Sequence, residues 1–144
     1  MFKFILYISK VSEQCDDRQM TNILVTSRSN NARNAVTGML VRSDSAFLQY
    51  IEGSEETIDK LFWTIERDKR HHSVKTITDG LIEDRVFFDW EMGFANEANL
   101  QPLQWKWQLD KISMFSLADN ASDCLDFVKA FLATPDLAHN LPAT

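Results

Sequence analysis

At 144 residues the chain is long enough for one domain with a real hydrophobic core and needs no disulfides or metal to hold it together. Its composition is that of an ordinary globular domain, 44% hydrophobic and 25% charged. A net charge of -6 argues against non-specific binding to nucleic acid or an anionic membrane.

Residues 3–9, KFILYIS, are β-rich and uninterrupted, as in a central strand covered on both faces. The apolar start is about ten residues long and lacks a basic leader and a small-residue cleavage site, so it reads as a strand and not a signal peptide. No apolar run approaches the roughly 20 residues of a membrane helix. From about Asp16, Met20, Ile23, Leu24 and Ser27 fall at helical spacing, and the helix is expected to end within SNNARN. Two strands follow, 35–42 and 46–52, joined by the polar SDS, which predicts a hairpin. Gly53 and Ser54 stop the second strand and cap another helix, whose apolar stripe is Ile58, Leu61, Phe62 and Ile65. Trp63 lies off that stripe.

After DKRHHS come two more strand-like runs, 74–82 and 86–94. The order βαββαββ predicts an α+β, ferredoxin-like sheet with both helices on one face. The tail, 98–144, is expected to cover the other face; Cys124, Leu125, Val128, Phe131 and Leu132 make a helical stripe there. NLQPLQWKWQL, with Trp105 and Trp107, fits either a short helix or a strand, the helix being preferred, and the chain after Pro135 is expected to fray. Cys15 and Cys124 fit no zinc or disulfide framework, which points to a reduced, cytoplasmic compartment.

Several polar groups sit in apolar strands. Gln49 shares a strand face with Phe47 and Ile51, where an unpartnered amide costs about 1–3 kcal/mol. Tyr7 lies in ILYIS, and Trp90 and Met92 alternate in DWEMGF, which would place them on one face with Phe94. Asn30 and Asn31 stand at the end of the first helix. Gathered on the helix-covered face, a phenol, an amide, an indole, a thioether and an Asn pair suit a planar heterocycle with carbonyls and ring nitrogens. Each also has a plain reading as core, gap-filler or helix cap. DKRHHS is weak as a metal site and better as a solvated turn or an anion site using Lys69 and Arg70. No phosphate loop, catalytic triad or Cys/His pair stands out.

In order and spacing, LYIS, SRSNNARNAVTGMLV, FLQYIEG, DKRHHS and DWEMGF resemble the BLUF domains, sensors of blue light using flavin adenine dinucleotide, over about residues 3–95. The resemblance implies bound FAD, its isoalloxazine ring lying between the two helices. It makes Tyr7 the photoactive tyrosine, Gln49 the switch glutamine and Asn31 the holder of the flavin pyrimidine edge. Trp90 and Met92 become a fifth-strand pair that changes environment with signalling. Ile23, Ser27, Asn30 and Phe47 would line the pocket, and Asp68, Arg70 and His71 would lie near the ribityl chain or ring edge. Some relatives carry histidine at position 30. The implied photochemistry passes an electron and then a proton from Tyr7 through Gln49. The amide ends rearranged, by rotation or tautomerisation, with a stronger bond to the flavin C4 carbonyl.

The resemblance further implies a photosensory unit over 1–97 and a C-terminal helical extension over 98–144. It reads as a short, stand-alone receptor that is not an enzyme, forms homo-oligomers and signals to a separate protein partner, without nucleic acid, membrane or metal. The alternative is a light-independent, ferredoxin-like small-molecule-binding regulatory module. An acylphosphatase-like hydrolase using Arg70 ranks below it, and an RNA-binding domain is disfavoured by the acidic charge.

Overall fold

The computed structural model describes residues 1–13, 15–43, 45–96 and 120–142. The expected element order holds. β1 (Phe2–Val11) leads to α1 (Asp17–Asn34), the hairpin β2 (Thr37–Arg42) and β3 (Ala46–Gly53), α2 (Glu55–Glu66), β4 (His71–Ile82) and a short β5 (Gly93–Asn96). α3 (Ala121–Leu132) and a 3-10 turn (Pro135–His139) close the described chain. The strands form one five-stranded sheet in the order β4-β1-β3-β2-β5. β5 pairs parallel with β2, and the other pairings are antiparallel.

The helix starts follow their caps. The Asp16 side chain accepts from Gln19 N at 2.8 Å, and Ser54 Oγ accepts from Thr57 N at 3.3 Å. α1 ends at Ala35, which takes the left-handed conformation with φ 55° and returns its N–H to the Asn31 carbonyl. Asn30 and Asn31 therefore lie inside the last turns of α1 and not in its cap.

Strand alternation divides the core in two. Ile5, Tyr7, Leu40, Phe47, Ile51, Met92 and Phe94 pack beneath α1 and α2, with Met20, Leu24 and Ile58. Leu6, Ile8, Met39, Val41, Leu48, Tyr50 and Ala95 pack beneath α3, with Cys124, Phe127, Val128 and Phe131. The expected stripe of α3 is thus the face it buries, with Leu125 and Leu132 at its edges. The segment after Pro135 does not fray: Leu137 and Ala138 are buried against the sheet. Trp63 is 58% exposed, with the Arg67 guanidinium stacked on its ring at 3.8 Å. Residues 97–119, with Trp105 and Trp107, lie outside the described residues.

The expected strand over 86–94 is cut to Gly93–Asn96, because its first half spends its backbone donors elsewhere. Glu52, fully buried, accepts from Val86 N at 2.8 Å and Phe87 N at 2.7 Å. It also accepts from Thr37 Oγ1 at 2.7 Å and the Tyr50 hydroxyl at 3.1 Å. Trp90 N then turns back to the Phe87 carbonyl at 2.8 Å. One carboxylate, satisfied by neutral donors, fixes the start of the crossover into β5. Glu52→Ala, which orphans two main-chain N–H groups, should cost about 2–5 kcal/mol in chemical denaturation, and a loss below about 1 kcal/mol would show that the crossover does not depend on it.

Candidate functional site

A cleft opens between α1, α2 and the sheet. Tyr7, Gln49 and Met92 form its floor, Ile23, Ser27 and Asn31 come from α1, and Leu61 and Ile65 from α2. Leu40, Phe47, Asp68, Arg70 and His71 complete it.

The floor is set by strand register. Tyr7 on β1 and Gln49 on β3 are direct cross-strand partners, so both side chains emerge side by side on the cleft face. The Tyr7 hydroxyl donates to Gln49 Oε1, and Gln49 Nε2 donates to the Met92 sulfur at 3.4 Å. The awkward amide of the strand is therefore held at both ends. Burial, with the charge of Asp68 second, pushes the Tyr7 phenol above its ordinary pKa, so Tyr7 enters this chain as a neutral donor. Phe62 flanks the phenol at 5.5 Å and His71 at 6.2 Å between ring centroids. His71 is fixed by Ser9 Oγ at Nδ1, 2.7 Å, and by the Ile65 carbonyl at Nε2, 2.5 Å; a carbonyl only accepts, so Nε2 carries the shared proton.

The approach to β5 is gripped at three successive carbonyls. Gly38 N donates to Trp90 O at 2.9 Å, Asn31 Nδ2 to Glu91 O at 2.6 Å, and Arg28 Nε to Met92 O at 2.9 Å. Arg28 and Asn31 stand three residues apart on one face of α1. The Met92 thioether is thus aimed at Gln49 by its own main chain.

Ten of the residues expected in the site line the cleft: Tyr7, Ile23, Ser27, Asn31, Phe47, Gln49, Asp68, Arg70, His71 and Met92. Two do not. Asn30 lies about 100° round α1 from Asn31 and turns away, its side chain accepting from Arg33 and its carbonyl from Asn34. Trp90 does not share a face with Met92. The turn at 87–90 rotates it to the opposite side of the sheet, where its ring packs on Phe87 at 5.4 Å and Phe131 of α3 at 6.0 Å. Gly93 makes room for it: a Cβ there would meet Trp90 at 2.7 Å and Phe131 at 2.9 Å. Leu40, Leu61 and Ile65 were not expected in the site, although two of them stand on the apolar stripe of α2. Arg28 gave no signal in the sequence, since its partners are main-chain carbonyls.

Arg70 carries its own counter-ion. Arg70 Nε and Nη2 pair with both Asp68 oxygens, at 2.9 Å and 2.5 Å, and those bonds hold the Asp68 carboxyl below its ordinary pKa against the effect of burial. The two charges neutralise each other at the half-exposed end of the cleft.

The donor set fits a flavin. Asn31, 4% exposed, keeps its Oδ1 without a donor among the described residues, and the Gln49 amide, 8% exposed, retains a second N–H. Both flank an apolar slot walled by Ile23, Leu40, Phe47, Leu61 and Ile65, as a flat ring with polar edges requires. No group of metal-ligating side chains occurs among the described residues.

Comparison with known proteins follows the same line. The sequence model for BLUF, sensors of blue-light using FAD, matches residues 2–93. The photoactivated adenylate cyclase subunit beta of Euglena gracilis is 29% identical over 104 residues, 69% of this chain and 12% of that protein. The chain thus spans about a tenth of the length of the curated relatives it matches. Among solved structures, the dark-state BLUF protein BlrB superposes with a TM-score of 0.82 at 26% identity, covering 92% of this chain and 96% of that one. A bacterial light-regulated adenylyl cyclase gives 0.71 at 29%, covering 90% of this chain and 40% of that one.

The burial of both tyrosines has a consequence at high pH. Desolvation raises the Tyr7 and Tyr50 phenols alike, Tyr50 further by the neighbouring Glu52 charge. The folded chain holds these protons where the unfolded chain releases them, so their contribution to stability is full below about pH 10 and is lost as pH rises above it. Ultraviolet titration should show no tyrosinate near pH 10 while the protein remains folded, and an ordinary midpoint for either tyrosine would contradict this packing.

Proposed function

The chain belongs to the BLUF family, sensors of blue light using FAD, and from that premise we propose how its own residues do the sensing. When bound, FAD supplies the light absorption and, once excited, the oxidising power. Asn31 and Gln49 would hold its polar ring edge, Ile23, Leu40, Phe47, Leu61 and Ile65 would clamp its faces, and Ser27, Asp68, Arg70 and His71 would meet the rest.

The observation that carries the reading is the buried chain from Tyr7 through Gln49 to Met92. Tyr7 is the electron donor. Loss of an electron turns a phenol from a weak acid into a strong one, and the only acceptor its hydroxyl meets among the described residues is Gln49 Oε1, so the proton leaves along that bond. Return of the electron and proton restores the phenol. The amide, which carries a donor and an acceptor end in one planar group, can then settle in a second arrangement. In the first arrangement its Nε2 serves Met92; in the second that bond changes, and Met92 carries the change into β5. A leucine at position 49 has no proton path, and a carboxylate lacks the N–H end.

Residues 1–97 form the photosensory unit in this reading, and 98–144 the output extension. The family match over 2–93 and the packing of α3 on the far face of the sheet support that division. Trp90, packed at a tilt between Phe87 and Phe131, would feel any movement of Met92, two residues away, on the α3 side. Output goes to a separate protein partner or to a second copy of the chain, and the buried thiols Cys15 and Cys124 fit a cytoplasmic setting. Among the described residues, no helix is long and apolar enough to cross a membrane. As a member of a sensor family the domain is not an enzyme, and no observation favours the light-independent binding module.

The purified protein should be yellow, release FAD on denaturation, shift its flavin band to the red under blue light and recover in darkness. Tyr7→Phe and Gln49→Leu should each keep the flavin and lose that cycle. A colourless protein that refuses added FAD would sink the reading, and a normal cycle in either variant would remove that residue from its role.

A further inference from the structure

Arg28 does not line the cleft, yet it bridges the cleft floor to the end of the described chain. Its Nε donates to the Met92 carbonyl at 2.9 Å, and its Nη2 donates to the Asn140 carbonyl at 2.7 Å. Asn140 in turn donates from Nδ2 to the Phe94 carbonyl at 3.0 Å, on the edge strand β5. The tail 135–142 is thereby tied directly to β5 and, through the Arg28 cation, to the residue before it, whose sulfur meets Gln49. Leu137, buried in the α3-side core, places the same tail beside the output helix.

The choice of side chain is informative. Arg28 is half-buried, and desolvation lowers its pKa, so the site tolerates a partly desolvated cation to keep this contact. A guanidinium presents Nε and Nη2 as a rigid fork that reaches two acceptors at once, whereas a lysine is a point donor. A purely structural tie between the tail and β5 already exists in Asn140. The fork adds something different, because it makes the position of the Met92 main chain and the docking of the tail one event.

We propose that Arg28 is a positioning residue that couples the photosensory floor to the C-terminal tail. It acts through Met92 and does not touch the cleft. Building on the function proposed above, rearrangement of Gln49 changes its hold on the Met92 sulfur, the Met92 carbonyl moves off the fork, and the tail 135–142 comes away from β5. Coupling runs both ways: a docked tail holds Met92 toward Gln49 and favours the dark arrangement.

Hydrogen exchange of peptides covering 134–142, measured in darkness and under continuous blue light beside the flavin spectrum, tests this. In the wild type, light should speed exchange of the tail by roughly tenfold or more, the scale of losing a charge-assisted hydrogen bond. Arg28→Met should show that faster exchange already in darkness and gain little more from light. It should keep the red shift but recover at a rate changed severalfold. Arg28→Lys should fall between the two. Asn140→Ala should loosen the tail in darkness, and protection of β1 and β3 in every variant shows that the fold is intact. Tail protection in dark Arg28→Met equal to wild type overturns the clamp, as does a wild-type tail unmoved by light despite a full red shift. A wild type with no red shift overturns the photosensory reading and the light-gated half of this proposal, while the dark comparison still decides whether Arg28 holds the tail.

Discussion

The pairing of Tyr7 with Gln49 across β1 and β3 is the constraint on which the site rests. Side chains in a sheet alternate faces, so a slip of one residue in either strand would send one of the pair into the α3-side core and leave the other with an unmet polar group. The alternation that points both into the cleft also sends Leu6, Ile8, Leu48 and Tyr50 to the other side. Register and burial therefore specify each other. A hydrophobic error on one face is a photochemical error on the other, which ties the switch to the stability of the whole sheet.

A buried amide between two apolar neighbours carries a cost unless it is bonded at both ends, and here it is. That same requirement gives the group two arrangements. An aliphatic side chain would pack as well but have only one state, while a charged one would demand a counter-ion. Among the described residues lining the site, Asp68 and Arg70 form one pair of opposite charges, neutralised together at the open end. In a neutral, buried floor a lone charge is expensive, so the phenol proton follows the lost electron out along the bond to Gln49.

Much of this is legible in the chain itself. Strand alternation places Phe47, Gln49 and Ile51 on one face, and they are found there. Helical spacing gives the buried sides of α2 and α3. The failures share a cause: periodicity assumes regular backbone. DWEMGF reads as a strand, but the N–H groups of Val86 and Phe87 go to a carboxylate some 35 residues away in sequence, and the turn that follows puts Trp90 and Met92 on opposite faces. Asn30 and Asn31 look equivalent side by side, yet one step on a helix separates a cleft residue from one turned away from the cleft. Arg28 is invisible for a third reason, because side chain to main-chain bonds leave no pairing pattern to read. Family resemblance names the residues of the switch; only the fold shows that Trp90 belongs to the α3 side.

The structure thus has two linked halves, a strand register that pairs Tyr7 with Gln49 and a crossover at 90–92 gripped at three successive carbonyls, which the proposed function makes the reader of the switch. The central claim is that light changes the bonding of the Gln49 amide. Light-minus-dark infrared difference spectroscopy on protein carrying isotope-labelled glutamine tests it most directly. A side-chain amide band that appears in the difference spectrum and moves with the label is the predicted result. A difference spectrum complete in its flavin bands but indifferent to the glutamine label would contradict the account.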